Sequence, residues 1–184
     1  MTFLEDARHG KVGEEIRAVA RGEGVTEEFV RRGMAAGRIV IPVSPYREVT
    51  YCGIGEGLRT KVNASVGTSS DIVDIDMELE KVRQAELAGA DTIMELSTGG
   101  DFAEIRRRVC DATSLSVGSV PLYQAFIEAV KKDGAVVHMK EDDLFRITAE
   151  QAKLGTNFMA IHTGINWETV KRLRNQGRHC GLVS

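Results

Sequence analysis

The residues of this sequence best suited to chemistry stand directly behind short apolar runs. Gly67-Thr68-Ser69-Ser70 follows Val62 to Val66, and Ser97-Thr98-Gly99-Gly100 follows Thr92 to Leu96. Tyr123-Gln124 comes soon after Leu115 to Val120, and His162-Thr163-Gly164 follows Phe158 to Ile161. Hydroxyls, a phenol, an amide and an imidazole are groups that hydrogen-bond a small polar ligand. Each has a plainer use as well, in core packing or in local hydrogen bonding. The repeated placement is what points to a site. The glycines of Gly53-Ile54-Gly55-Glu56-Gly57 make a weak phosphate loop, because no strand feeds them and no helix clearly follows.

Such placement requires elements that deliver all run ends to one side. Helical segments fill the gaps between the runs: Asp74 to Leu87, Phe102 to Ala112, Tyr123 to Lys132, Glu141 to Leu154 and Trp167 to Gln176. A fifth apolar run is Cys180 to Val183. Ala88-Gly89-Ala90-Asp91 and Leu154-Gly155-Thr156-Asn157 end helices with glycine and turn straight into strands. Repeated strand–helix units imply a parallel sheet, either doubly wound or a (β/α)8 barrel. Polar clusters at the strand ends favour the barrel, whose active site lies on that face. The expectation is therefore an α/β fold, a partial (β/α)8 TIM-type barrel of about five strands over residues 61–184. Residues 1–60 read as a mainly helical preamble: Glu14 to Arg21, Glu27 to Ala36 behind the N-cap Thr26, a short strand Ile39 to Ile41, then a loop from Pro42 to Gly57. Five strands fall short of the eight that close a barrel, so the expectation includes a fragment, a truncated product or one piece of a split protein.

Composition narrows the partners. The 184 residues are 42% hydrophobic with a formal net charge of −3, mixed along the chain. No basic stripe suggests nucleic acid, and Arg106-Arg107-Arg108 reads as a solvated helix face. No apolar run approaches the roughly 20 residues of a membrane span, and the acidic start lacks the basic region of a signal peptide. Three widely spaced cysteines, Cys52, Cys110 and Cys180, form no CxxC pair and read as thiols of a reduced cytoplasmic protein. The histidines His9, His138, His162 and His179 have no metal-ligand spacing, so no metal is expected in this chain.

The strand ends also carry a resemblance. Lys61-Val62-Asn63-Ala64-Ser65-Val66-Gly67 is similar to the Asn-Ala-Asn-Ile-Gly segment of the phosphomethylpyrimidine synthase (ThiC) family. Met94-Glu95-Leu96-Ser97-Thr98-Gly99 resembles its Met-Asp-Leu-Ser-Thr-Gly, and Val117-Gly118-Ser119-Val120-Pro121-Leu122-Tyr123-Gln124 its Val-Gly-Thr-Val-Pro-Ile-Tyr-Gln. Phe158 to Gly164 resembles its Ile-His-Ala-Gly, and Gly181-Leu182-Val183-Ser184 the start of Ile-Val-Ser-Arg-Gly-Gly. The resemblance implies an enzyme that rearranges aminoimidazole ribotide by radical S-adenosylmethionine chemistry, a carbon–carbon lyase making the thiamin pyrimidine. It implies substrate contacts from Met94, Tyr123 and His162, with Ser65 and Ser184 in two further contact positions. Ser97, Thr98 and Gly99 would offer backbone N–H groups to a phosphate. The family's S-adenosylmethionine and [4Fe–4S] cluster depend on cysteines beyond residue 184, so no cofactor ligands are expected here. A full-length member is expected to be a homodimer, and this chain to associate through its open sheet edge.

Several positions depart from the family. Ser65 stands where an asparagine belongs, and Asn63 reads as lying on the other side of the strand. Glu95 replaces a common aspartate, and Val43-Ser44-Pro45-Tyr46-Arg47 replaces a segment that usually contains asparagine. These changes suggest a paralogue and keep open a branch that makes 5-hydroxybenzimidazole, a cobamide lower ligand, from the same ribotide. A non-catalytic substrate-binding or assembly piece is a further alternative. An unrelated aldolase would need a Schiff-base lysine at a strand end, whereas Lys61 begins a strand.

Overall fold

The computed structural model describes residues 2–177; the expected run Cys180 to Val183, with His179 and Ser184, lies outside them. Helices α1 (Phe3–Arg8), α2 (Glu14–Glu23) and α3 (Glu27–Ala35) open the chain. Thr26 caps α3 as expected, its hydroxyl accepting the Phe29 N–H at 3.1 Å. Ile16, Val19, Val30 and Met34 project from α2 and α3 at helical spacing into one buried cluster with Ala7, Ile39 and Ile41.

Strand β1 (Ile39–Val40) pairs antiparallel with β2 (Ile54–Gly55), a strand inside the segment expected to be loop. Two residues are too few for alternation to reveal. Gly55 is required by the approach: at φ +151°, a Cβ there would stand 2.1 Å from the Arg38 carbonyl oxygen. Gly53 and Gly57 pack against Val19 and the Phe29 ring, so the glycine cluster serves packing rather than a phosphate.

The remainder alternates strand and helix. Its elements are β3 (Asn63–Val66), α4 (Ile75–Leu87), β4 (Thr92–Glu95), α5 (Phe102–Asp111), β5 (Ser116–Ser119), α6 (Pro121–Asp133), a 3-10 turn (Val136–His138), α7 (Glu141–Lys153), β6 (Phe158–Met159) and α8 (Trp167–Gln176). The four strands are parallel and lie in chain order, β3-β4-β5-β6. A doubly wound sheet reverses that order at a switch point; this one progresses steadily, as a (β/α) barrel wall does. Val66, Ile93 and Val117 pack on Val82, Ile105 and Val109, which puts α4 and α5 on one face. The opposite face carries Asn63, Ser65, Thr92, Met94, Ser116, Gly118 and Phe158 by the two-residue period of the strands.

That period corrects one expectation. Asn63 is two residues from Ser65, so both share a face, and Asn63 Oδ1 accepts a hydrogen bond from Thr92 Oγ1 at 2.9 Å. The Arg106-Arg107-Arg108 run is corrected too. Successive helix positions turn by about 100°, so Arg107 and Arg108 reach solvent-side carboxylates while Arg106 is only 3% exposed.

The preamble is fastened beneath the sheet, at the strand starts. Arg47 Nη2 donates to the Thr113 carbonyl at 2.8 Å and to that of Leu115, and its Nη1 donates to Asn157 Oδ1 at 3.2 Å. Ser116 Oγ donates to the Pro42 carbonyl at 3.3 Å. At the other strand starts, Arg59 pairs with Asp91, and Lys61 meets Glu23 of α2 at 2.8 Å with both side chains nearly buried.

Candidate functional site

The candidate site lies at the C-terminal strand ends. Ser65, Met94, Gly118 and Phe158 fall in one cross-strand row: Ser65 is in register with Met94, Met94 with Gly118, and Gly118 with Phe158. Ser65 is exposed and Met94 half-buried, so this row is open to a ligand. Gly118 leaves room for a ring: a Cβ there would stand 2.2 Å from Phe158 Cε2. Phe158 is thus a lining residue that sequence reasoning left unassigned. The signal was present, since a glycine within a strand marks close approach of another group.

Above the row stand Tyr123 and His162. The chain enters α6 through Pro121, a residue that suits a first helical turn. This sets Tyr123 in that turn, just past the end of β5. His162 follows β6, whose ladder continues through the Ala160 N–H to the Ser119 carbonyl at 2.9 Å. The two rings meet with centroids 5.8 Å apart and planes tilted by 42°. His162 Nδ1 is buried and has no hydrogen-bond partner among the described residues. A buried imidazole nitrogen without a partner is costly unless a ligand, water or ion completes it. Of the expected contact residues, the structure brings Tyr123 and His162 into direct contact and places Ser65 and Met94 in adjoining register. Ser184 lies outside the described residues.

The Ser97-Thr98-Gly99 turn differs from the expectation. The Ser97 N–H donates to Glu95 Oε1 at 2.7 Å and the Thr98 N–H to the Thr68 carbonyl at 2.8 Å. Thr68 returns a bond from its own hydroxyl to the Gly99 carbonyl at 2.6 Å. Two of the three backbone donors expected to meet a phosphate are therefore committed to tying the β3 and β4 ends together.

Iron–sulfur ligation needs converging thiolates. Cys52 and Cys110 are both buried on separate segments, and burial pushes both thiols up, Cys110 in spite of the nearby Arg47 and Arg106 cations. Among the described residues no three His, Cys, Asp or Glu side chains gather as a metal site, and the residues present do not fit a cluster. Among the same residues no helix is long and apolar enough to cross a membrane.

Comparison with known proteins gives this geometry its context. The chain is 80% identical to the phosphomethylpyrimidine synthase of Methanoculleus marisnigri and 79% identical to that of Methanoregula boonei. It is 67% identical to phosphomethylpyrimidine synthase 1 of Methanosarcina barkeri. Each comparison covers the whole chain, which spans 43% of the length of these relatives. The profile of the Radical SAM ThiC family matches residues 2–184, and the chain belongs to that family.

Proposed function

We propose that this chain supplies part of the aminoimidazole ribotide cradle of a phosphomethylpyrimidine synthase, a radical S-adenosylmethionine carbon–carbon lyase. The carrying observation is the buried, unpartnered His162 Nδ1 beside the Tyr123 ring at the strand-end face. A polar atom of the ribotide would complete His162, and the Tyr123 and Phe158 rings offer flat apolar surface to an imidazole. Met94 and Ser65 would line the adjoining row, with Ser184 in a further contact position. Asn63, on the same face, would bring an amide below Ser65. S-adenosylmethionine and its [4Fe–4S] cluster would supply the radical, and the described residues of this chain bind and orient the ribotide only. In this reading residues 1–60 are a base, residues 61–184 are barrel wall, and the assembled enzyme is a homodimer.

Ser65 supports a second reading. A serine in place of the family's asparagine gives the pocket more room and one less amide, a change that suits the 5-hydroxybenzimidazole branch. Product analysis of the assembled enzyme separates the two.

The test is calorimetric titration of aminoimidazole ribotide into the chain. Binding is expected, and His162→Ala should weaken it by about 1–3 kcal/mol through loss of one directly made hydrogen bond. Absence of binding, or equal binding by the variant, would refute the cradle.

A further inference from the structure

A connected set of buried polar side chains lies on the helix side of the sheet, immediately behind the candidate site. Glu95 and Arg106 form an ion pair at 2.9 Å with side-chain exposures of 0% and 3%. Arg106 Nη1 donates to Gln124 Oε1 at 3.2 Å, and Gln151 Nε2 donates to the same oxygen at 2.9 Å. Gln151 Oε1 accepts the Ser119 hydroxyl at 2.7 Å. One chain of contacts thus spans β4, α5, α6, α7 and β5.

Two of its members, Glu95 and Gln124, are the sequence neighbours of ligand-side residues. Glu95 follows Met94, and because strand side chains alternate, fixing Glu95 among the helices fixes Met94 toward the open face. Gln124 follows Tyr123. A helix turns by about 100° per residue, so anchoring Gln124 in the interior sets the azimuth at which Tyr123 meets His162. A buried pair of this kind is weak support for stability, because apolar groups of similar size serve as well or better. Between Glu95 and Arg106 the link is charge alone, Glu95 Oε2 and Arg106 Nε having no hydrogen-bond partner among the described residues. The directional bonds that hold geometry are those of Arg106 and Gln151 to Gln124 and of the Ser97 N–H to Glu95 Oε1.

We propose that Arg106 and Gln124 are positioning residues for the ribotide site, acting through Glu95 on Met94 and through the first turn of α6 on the Tyr123–His162 contact. This rests on the cradle reading for its ligand but not for its geometry. The two halves are tested separately. In the double variant Glu95→Leu/Arg106→Met, apolar groups replace the ion pair and Gln124 Oε1 is left with Gln151 alone. The buried Ser97 N–H also loses its Glu95 acceptor, so this variant is expected to melt below the parent but cooperatively. Its His162 Cε1–H proton resonance, shifted by the Tyr123 ring, is expected to move toward the position seen in Tyr123→Leu. Ribotide affinity is expected to fall about tenfold or more, since small misplacements of positioned groups are costly. Gln124→Met, which keeps the ion pair and removes the relay, should give the same two readings and serves if the double variant unfolds. Arg106→Lys should stand between parent and double variant, keeping charge without the forked geometry. Variants that melt cooperatively with an unmoved His162 resonance and undiminished affinity overturn the proposal. A parent chain that binds no ribotide overturns the cradle, while the resonance still decides the relay.

Discussion

Replacing Arg47 should loosen the whole lower face of the sheet. Its guanidinium serves two carbonyls and the Asn157 side chain, joining the 42–50 segment to the starts of β5 and β6. Hydrogen bonds from a charged donor are worth about 1.5–3 kcal/mol each. The Asn157 oxygen keeps a second donor, the Val117 N–H at 2.9 Å, so only the two carbonyls lose a principal partner. Arg47 is half-buried, and water recovers part of the loss. We therefore expect Arg47→Met to cost about 3 kcal/mol, near the low end for two such bonds. For a chain of this size that is a fall in Tm of about 6–12 °C. Arg47→Lys keeps one cationic donor but not the fork, and should recover about half. Thermal and urea melts followed by circular dichroism measure both. A loss below about 1 kcal/mol for the methionine variant, or a lysine variant no better than it, would show that these bonds do not carry the junction.

Acid should weaken the same junction elsewhere. The Arg59 guanidinium, joined by the Val62 N–H, holds the Asp91 carboxyl below the usual carboxylate range in spite of its partial burial. The folded value lies below the unfolded one of about 3.9, so this stabilisation is full above that pH and is lost as pH falls through the folded value. Asp91→Asn should flatten the decline of the urea midpoint over that window, and an unaltered decline would discount the pair. Gly118→Ala should push the Phe158 ring aside at a cost of about 1–3 kcal/mol, and Phe158→Leu in the same chain should restore much of it; calorimetry decides. Among the described residues the four-stranded sheet is bounded by β3 and β6, and sedimentation of the 184-residue chain should show association through such an edge, whereas a monodisperse monomer with a cooperative melt would count against it. Anaerobic reconstitution with iron and sulfide should yield no [4Fe–4S] absorption, and a stable cluster with its paramagnetic signal would overturn the fit argued from Cys52 and Cys110.

The long strand–helix alternation was legible because each element declares itself locally. Apolar runs four residues long, caps at Thr26, and glycine stops at Gly89 and Gly155 all depend on near neighbours. What sequence reading missed depends on distant partners. Ile54–Gly55 is a strand only because Ile39–Val40 lies beside it. Arg106 looks like its neighbours Arg107 and Arg108 until Glu95 is set behind the sheet. Asn63 was misplaced by a slip of one in the strand period, a rule the sequence itself carries. At the site, Tyr123 and His162 could be named from their places behind apolar runs. The burial of His162 Nδ1 and the Phe158 ring over Gly118 arise only from the folded packing of distant segments.

The chain-order sheet has a kinetic consequence. Each strand of the wall docks on the one made just before it, so a nascent chain can add strand–helix units in the order of synthesis, with modest loop-closure entropy at each step. Asn63 meets Thr92 across 29 residues, and Ser119 meets Gln151 across 32. The Arg47 tether is different, spanning 68 residues to Leu115 and 110 to Asn157. The helical preamble, translated before the wall, must therefore wait with its guanidinium bonded only to water until the third and fourth wall strands arrive. Slow or paused synthesis would prolong that wait, leaving a partial wall whose lower rim is unsealed and open to mispairing.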